Sequence, residues 1–219
     1  MNNNPILNWL KYQKEKGVSY IARSEGIERL FNDLKLLKLE IETCTRCPLY
    51  KVRNHAVFGE GPLNASLIIV GEAPGREEDI EGRPFCGPSG ELLDRMLKAI
   101  HLSREEIFIT SVVKCRPPQN RAPLSKEIKA CIPYLETQIK SIRPKAILAL
   151  GEVAGKALTK ANLPVKELRG KIHPTDHGQI IVTYHPAYIL RFSGSQQEKA
   201  IKKAAWEDLQ LLEKVLSGD

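Results

Sequence analysis

The sequence lacks any uninterrupted apolar run of about 18 residues, the length that a helix needs to cross a lipid bilayer. It also lacks the N-terminal pattern of a secretory signal, in which a basic segment precedes an apolar stretch and small cleavage residues. Internal repeats and low-complexity segments are missing as well. We therefore expect a cytoplasmic protein without a membrane partner.

The chain has 219 residues, of which 42% are hydrophobic. That length suits one substantial α/β core and is short for two independent domains. We predict a single domain over residues 1–219, in which residues 1–40 form an N-terminal helical extension. Apolar residues at helical spacing predict helices from Pro5 to about Gly17 and from Glu25 to Glu42.

Four short runs of nearly continuous apolar character predict strands that are buried on both faces. These runs are Leu67–Val70, Ile107–Val113, Ala146–Leu150 and Ile180–Tyr184. Helical patterns lie between most of them, at Gly90–Ile100, Ser125–Ser141 and Val153–Ala161. This alternation predicts an α/β fold, a three-layer α/β/α arrangement with a central, mostly parallel four-stranded sheet.

In such a sheet the functional loops gather beyond the carboxyl ends of the strands. This rule selects Gly71–Asp79, Lys114–Pro123, Gly151–Glu152 and His185–Arg191. In the first loop, glycines allow close approach of a ligand, and Glu72 places a carboxylate directly after a strand. In the last loop, His185 ends a strand and is fixed by proline, which favours a functional histidine over a structural one.

Two further segments carry aromatic or apolar residues in unusual places. Phe85 lies in a loop stiffened by glycine and proline, where it either anchors the loop in the core or forms a stacking platform for a base. Tyr188, Ile189 and Leu190 are unusually apolar for a loop that ends in Arg191. They either pack inward or supply a wedge that fills the gap left by an extruded base.

The positive charge of the chain is concentrated in one region. The formal net charge is +7, and residues 114–171 contain thirteen lysines and arginines against four glutamates. A solvated basic face is one interpretation of this clustering. A polyanionic partner explains it better, because each neutralised phosphate releases counterions and strengthens binding. Charge alone therefore favours a nucleic-acid partner.

The five cysteines are not expected to form disulfides, because the cytoplasm keeps thiols reduced and the number is odd. Cys44 and Cys47 form a Cys-x2-Cys pair, and Cys115 and Cys131 form a second pair further along. Two such pairs can surround one zinc ion or one cubane cluster, and the spacing does not separate these possibilities. Buried, inert cysteines are the alternative, and Cys86 is interpreted as a space-filling residue.

Taken together, these segments resemble the family-4 uracil-DNA glycosylases, the iron–sulfur branch of the uracil glycosylase superfamily. The matching motifs are Cys44-x2-Cys47, Gly71-Glu-Ala-Pro-Gly75-Arg-Glu-Glu-Asp79, Gly82-Arg-Pro-Phe85, Gly90-x-Leu-Leu-Asp94, Lys114-Cys-Arg-Pro-Pro-x-Asn-Arg121, Cys131 and His185-Pro-Ala-Tyr188. They follow the order of the family from about residue 40 to the C-terminus, whereas the first forty residues share no specific motif.

The resemblance implies a DNA repair enzyme that excises uracil from DNA. We expect it to be monofunctional, because no lysine is placed convincingly for Schiff-base chemistry, and to act as a monomer on double- or single-stranded DNA. The resemblance implies hydrolysis of the N-glycosidic bond of a flipped-out deoxyuridine, which leaves an abasic site. It also implies a structural [4Fe–4S] cluster, and so decides for iron–sulfur over zinc. The cluster ligands would be Cys44, Cys47, Cys115 and Cys131.

The resemblance further implies roles for individual residues. It assigns uracil stacking to Phe85, a hydrogen bond to the uracil O2 to His185, and positioning of water to Glu72. Glu78 would crowd the C5 position and disfavour thymine. The other expected substrate contacts are Gly71, Ala73 and Ser111, and the expected DNA contacts are Arg116, Arg121, Tyr188, Leu190 and Arg191.

Ser111 departs from the family pattern, which usually has asparagine at this position. An amide offers both a donor to O4 and an acceptor to N3–H of uracil, whereas a hydroxyl cannot supply both directly. Loss of such a paired contact costs about 1–3 kcal/mol. We therefore expect weaker activity or relaxed base choice.

Three alternatives remain open. A related branch of the superfamily binds uracil-DNA covalently through a histidine in an inserted basic loop, an insertion that Lys114–Arg121 does not contain. The second alternative is a non-catalytic nucleic-acid-binding module with a structural metal. The third is a zinc-bearing interaction protein.

Overall fold

The computed structural model describes residues 25–176 and 178–218. The strands in this part of the chain are β1 (Leu67–Gly71), β2 (Phe108–Ser111), β3 (Ala146–Leu150), β4 (Ile172–Thr175) and β5 (Gly178–Thr183). The helices are α1 (Glu25–Glu42), α2 (Arg76–Glu81), α3 (Pro88–Ala99), α4 (Ser125–Ile142), α5 (Gly151–Thr159), α6 (Val165–Leu168), α7 (Pro186–Arg191) and α8 (Glu198–Ser217). Short 3-10 turns occur at Pro48–Lys51, Arg104–Glu106 and Pro118–Asn120.

The strands form one sheet in the order β2-β1-β3-β5-β4, parallel except for β4. Side chains of β1 alternate between two hydrophobic clusters, because successive residues of a strand point to opposite faces. Ile68 and Val70 pack with α1 and α4 on one face. Leu67 and Ile69 pack with α3 and α8 on the other. The predicted three-layer α/β/α arrangement with a mostly parallel sheet is therefore confirmed.

The sheet has one strand more than predicted. The additional strand, β4, pairs antiparallel with β5 at the edge of the sheet and is largely exposed. It was missed because its sequence lacks an apolar run and contains Pro174, a residue that sheets tolerate mainly at edges. The predicted strand count of four therefore applies to the parallel strands alone.

The opposite edge of the sheet, β2, is covered by a segment that contains Gly59, Glu60 and Gly61. Glu60 exchanges two backbone hydrogen bonds with Ile109, of 2.8 and 2.9 Å. Both glycines have φ near +129°, and a Cβ at Gly61 would lie 2.0 Å from the Ile107 carbonyl oxygen. Only glycine therefore allows the backbone to approach this edge so closely.

The second predicted strand, Ile107–Val113, is shorter in the structure. Val112 and Val113 stay buried, but their amides donate to the carbonyls of Gly71, the last residue of β1, and of Glu72, the residue after it. The predicted helix Glu25–Glu42 is confirmed by α1, which buries Leu34, Leu37 and Ile41. The predicted helix from Pro5 to Gly17 lies outside the described residues. No helix of the described part could cross a bilayer.

A buried ion pair fastens α8 to the segment that precedes β4. Asp208 is fully buried and accepts hydrogen bonds from Arg169 Nε at 3.0 Å and from the Gly170 amide at 2.9 Å. Arg169 also donates to the Ala204 carbonyl of the same helix. A buried carboxylate with these partners is stabilised only as long as the partners remain, because removing one leaves the other charge uncompensated.

We predict that Asp208→Ala lowers the free energy of unfolding by about 3 kcal/mol, because Arg169 then loses its buried counter-charge. Urea-induced unfolding measures this change. Glu207→Ala is the matched control, because Glu207 is 51% exposed and lies 3.5 Å from the same guanidinium group. Its loss should stay below about 1 kcal/mol. Equal losses in the two variants would contradict the prediction.

Candidate active site

A cleft of about 500 Å³ opens at the carboxyl ends of the four parallel strands. The end of each of these strands contributes to its lining: Glu72 follows β1, Ser111 ends β2, Gly151 follows β3 and His185 lies shortly after β5. The two faces of the sheet are filled with apolar side chains, so polar groups collect at this edge.

Most of the predicted site residues meet in this cleft. Those that line it are Glu72, Ala73, Glu78, Phe85, Ser111, Arg121, His185, Tyr188 and Arg191. Gly71 lies directly behind the Phe85 ring, since a Cβ at this position would come within 2.7 Å of the ring. Glycine at position 71 therefore makes room for the aromatic ring.

Glu72 leaves the end of β1 and is partly buried in the cleft wall. Burial raises the pKa of its carboxyl group above the ordinary value. Its backbone is fixed, because the Glu72 carbonyl accepts a hydrogen bond of 3.0 Å from the Val113 amide. The backbone that carries this carboxylate is thus tied to the segment that follows β2.

His185 caps the first turn of α7, and this contact fixes the tautomer of its ring. The Ala187 amide donates to Nδ1 over 3.1 Å. Nδ1 therefore carries no proton, and the neutral ring has its proton on Nε2. Burial lowers the pKa of His185 to about 4, although the Glu78 carboxylate opposes this shift. The histidine is consequently a neutral hydrogen-bond donor at pH 7.

The Phe85 ring faces His185 across the cleft. The two ring centroids lie 5.6 Å apart with an interplanar angle of 28°. Phe85 is 8% exposed and belongs to the hydrophobic cluster on one face of the sheet. The ring thus anchors its loop in the core and also presents a flat apolar surface to the cleft. Both roles considered for Phe85 from the sequence are therefore compatible.

Glu78 holds two loops together. One carboxylate oxygen accepts hydrogen bonds from the amides of Cys86 at 3.0 Å and Gly87 at 3.2 Å. The other oxygen accepts one of 2.9 Å from the Gly75 amide. The only role expected of Glu78 from the sequence is crowding of the C5 position of the base. The structure adds a bracing contact between the segment before α2 and the segment before α3.

Two of the predicted DNA contacts do not line the cleft. Arg116 lies beside it, where its Nε donates to the side-chain oxygen of Asn120 at 2.7 Å. Leu190 is partly buried on α7. The basic region that begins at Lys114 also offers less exposed positive charge for binding DNA than its composition indicated. Lys114 is 1% exposed and donates to the side chains of Thr110 and Gln138.

A second, small cavity is lined by four cysteines. These are Cys44, Cys47, Cys115 and Cys131. They come from the end of α1, from the segment after β2 and from α4, so three distant segments meet here. Cys86 does not line this cavity.

Two arginines, Lys114 and a backbone N–H group lie around these thiols. Arg46, Arg53 and Lys114 also line the cavity. Arg53 donates to Cys115 Sγ at 3.0 Å, and the Lys114 amide donates to Cys131 Sγ at 3.2 Å. Such contacts favour an anionic group bound by thiolates. No group of three or more His, Cys, Asp or Glu side chains in the described part of the chain is arranged to hold a metal ion.

Residues 58–210 match the model of the uracil DNA glycosylase superfamily. The chain belongs to this superfamily. It is 43% identical over 196 residues to the type-4 uracil-DNA glycosylase of Saccharolobus solfataricus, a match that covers 85% of this chain and 88% of that protein. It is 44% identical over 168 residues to the type-4 uracil-DNA glycosylase of Pyrobaculum aerophilum, covering 73% and 85%. With the type-4 uracil-DNA glycosylase of Thermotoga maritima the identity is 37% over 186 residues, covering 81% and 91%.

The cleft is also lined by residues that were not predicted individually as site residues. Three of these are Asn120, Glu152 and Tyr184. Asn120 lies in the motif that contains Arg121, and Glu152 lies in a loop that the strand rule selected, so the sequence carried a signal for both. The sequence contained no signal for Arg53, because only folding brings its side chain to Cys115.

Proposed function

We propose that this chain excises uracil from DNA by hydrolysing the N-glycosidic bond of an extruded deoxyuridine, which leaves an abasic site. The observation that carries the proposal is the convergence of Phe85, Glu72 and His185 on one cleft. A stacking surface, a carboxylate and a neutral hydrogen-bond donor are the groups that this reaction needs. The names of the similar type-4 proteins support the same activity.

The base would enter the cleft against Phe85, since an aromatic face contributes about 1–3 kcal/mol to base stacking. Ser111 lies at the floor with its side chain toward the position of Gly71, and its hydroxyl would contact the base edge. Because this hydroxyl cannot replace both contacts of an amide, weaker or broader base recognition remains our prediction for this position.

His185 would stabilise the charge that develops on the uracil O2 as the glycosidic bond breaks. The leaving base carries negative charge, and a donor that is already oriented favours this state more than the neutral substrate. The contact of Nδ1 with the Ala187 amide leaves Nε2–H as the donor. A neutral ring suits this role because it can donate a hydrogen bond from Nε2 without being charged before the glycosidic bond breaks.

Glu72 would hold the attacking water and stabilise the sugar, which becomes cationic as the bond lengthens. A carboxylate in a partly buried site acts more strongly on such a charge than one in water. No covalent intermediate is required, because water itself completes the reaction. Arg121 and Arg191, on the rim of the cleft, would bind DNA phosphates, and Tyr188 would contact the DNA beside them.

We further propose that Cys44, Cys47, Cys115 and Cys131 hold a [4Fe–4S] cluster. The proposal is supported by four thiols from three segments around one cavity, with Arg46, Arg53 and Lys114 beside them. When bound, the cluster would serve as a structural cross-link and take no part in bond breaking. Its residues would fix the loop from Cys115 to Arg121, which reaches the rim of the cleft.

The proposed function is tested with a duplex oligonucleotide that contains one deoxyuridine, and with a thymine duplex as control. We expect abasic sites only in the first. His185→Ala should lower the single-turnover rate at least about tenfold, the size of such donor effects. His101→Ala is the control, because His101 is exposed and does not line the cleft.

Tight DNA binding without abasic sites would favour the non-catalytic alternative instead. A protein–DNA adduct that survives denaturation would favour the covalent alternative. An unchanged rate in His185→Ala would remove the histidine from the mechanism while leaving the activity itself intact.

The fall of the reaction rate at low pH should reflect protonation of the Glu72 carboxylate. Its pKa is raised by burial, and its carboxylate is the active form, so the rate should fall as the pH drops through this raised pKa. His185 stays neutral until the pH approaches its pKa of about 4. Glu72→Gln should therefore have a lower rate and should lose the fall in rate that the wild type shows at pH values above the pKa of His185.

Single-turnover rates between about pH 5 and about pH 9 measure this profile. Glu77→Gln is the control, since Glu77 is an exposed carboxylate that lines the same cleft. Glu77→Gln should keep the fall in rate at low pH that the wild type shows. An acid limb that persists unchanged in Glu72→Gln would assign the titration to another group.

The cluster is tested by colour and by iron content. We expect the wild type to absorb near about 400 nm and to contain iron. Cys44→Ser should lose both, because one thiolate ligand is missing. Cys86→Ser should keep both, because Cys86 lies outside the cysteine cavity. A colourless wild type that contains zinc would contradict the proposal.

A further inference from the structure

Phe85 has a backbone conformation that is rare for a side chain of its size. Its φ angle is +50°, in the left-handed region that normally belongs to glycine. Such a conformation persists only where surrounding contacts hold it, because the Cβ crowds the backbone. The contacts that hold Phe85 therefore also determine where its ring lies in the cleft.

Arg104 contacts the backbone of this residue from outside the cleft. Its guanidinium group donates to the Phe85 carbonyl oxygen at 3.0 Å and also to the Pro84 carbonyl oxygen. Two carboxylates orient the same group: Asp94 accepts at 3.1 Å and Glu60 lies at 3.5 Å. The Arg104 side chain is 17% exposed. A planar guanidinium with several N–H donors can bind two adjacent carbonyls at once, which an ammonium cannot do in the same geometry.

The chain on the other side of Phe85 is fixed as well. The Cys86 and Gly87 amides donate to Glu78, so the backbone cannot rotate freely after the ring. Helix α3 closes the remaining space, because a Cβ at Gly90 would lie 1.8 Å from the Phe85 carbonyl oxygen. The carbonyl is thus confined between α3 and Arg104.

We propose that Arg104 is a positioning residue, which holds Phe85 in the left-handed conformation through the Pro84 and Phe85 carbonyls and so fixes the ring on which the substrate base stacks. The proposal rests on the proposed function for the identity of that base. Arg104 does not line the cleft, so it acts through Phe85 and not by contact with substrate.

A double-mutant cycle tests this assignment. The full-length protein and the variants Arg104→Ala, Phe85→Ala and the double variant are compared in single-turnover excision of uracil. Arg104→Ala should lower the rate by about tenfold to about a hundredfold, as expected when a reacting group is misplaced. In the Phe85→Ala background the same change should alter the rate by less than about twofold, because the ring it positions is gone. An equal loss in both backgrounds would overturn the proposal.

Binding separates positioning from general damage. Arg104→Ala should leave the affinity for DNA without uracil unchanged, whereas a globally weakened protein would lose both affinity and rate. Arg104→Lys should recover part of the rate at most, because lysine cannot bind both carbonyls. Arg83→Ala is the control: Arg83 shares Glu60 with Arg104, is 59% exposed, and should leave the rate near that of the wild type.

A crystal structure of Arg104→Ala tests the proposal independently of activity. We expect the φ angle at Phe85 to leave the left-handed region and the ring to withdraw from Gly71. Retention of the left-handed conformation would overturn the proposal even if the enzyme is active. A wild type that releases no uracil would overturn the proposed function, while the crystal structure would still decide the role of Arg104.

Discussion

The burial of four parallel strands on both faces is the constraint on which the rest of the structure depends. Helices α1 and α4 cover one face and α3 and α8 cover the other, so most side chains between the layers are apolar. Polar residues are left to the carboxyl ends of the strands, where Glu72, Ser111 and His185 emerge. The position of the cleft is therefore a consequence of how the core is built.

Desolvation acts on the two central ionisable groups of the cleft with opposite consequences. Burial disfavours charge, so it keeps His185 neutral and makes the carboxylate of Glu72 costly. Glu78 is nearby, but its oxygens are committed to three backbone amides and hold two loops together. One cleft thus contains a neutral donor, a carboxylate available for chemistry and a carboxylate engaged in structure.

Much of this arrangement could be predicted from local sequence patterns. Continuous apolar runs predicted the four parallel strands, and the strand rule then selected the loops that hold Glu72 and His185. The edge strand β4 was not predicted, because it is held by pairing with β5 and its sequence has no apolar pattern. The contact of Arg104 with Phe85 and the burial of Lys114 could not be predicted, because both depend on segments that meet only in the folded chain.

The way in which the sheet terminates has a consequence for how copies of the chain behave at high concentration. An open strand edge offers unpaired amides and carbonyls, on which a second molecule can add its own strand and begin aggregation. Here Pro174 removes one amide donor along β4, and the segment around Glu60 occupies the outer side of β2. Intermolecular strand addition is thereby discouraged at both ends of the sheet.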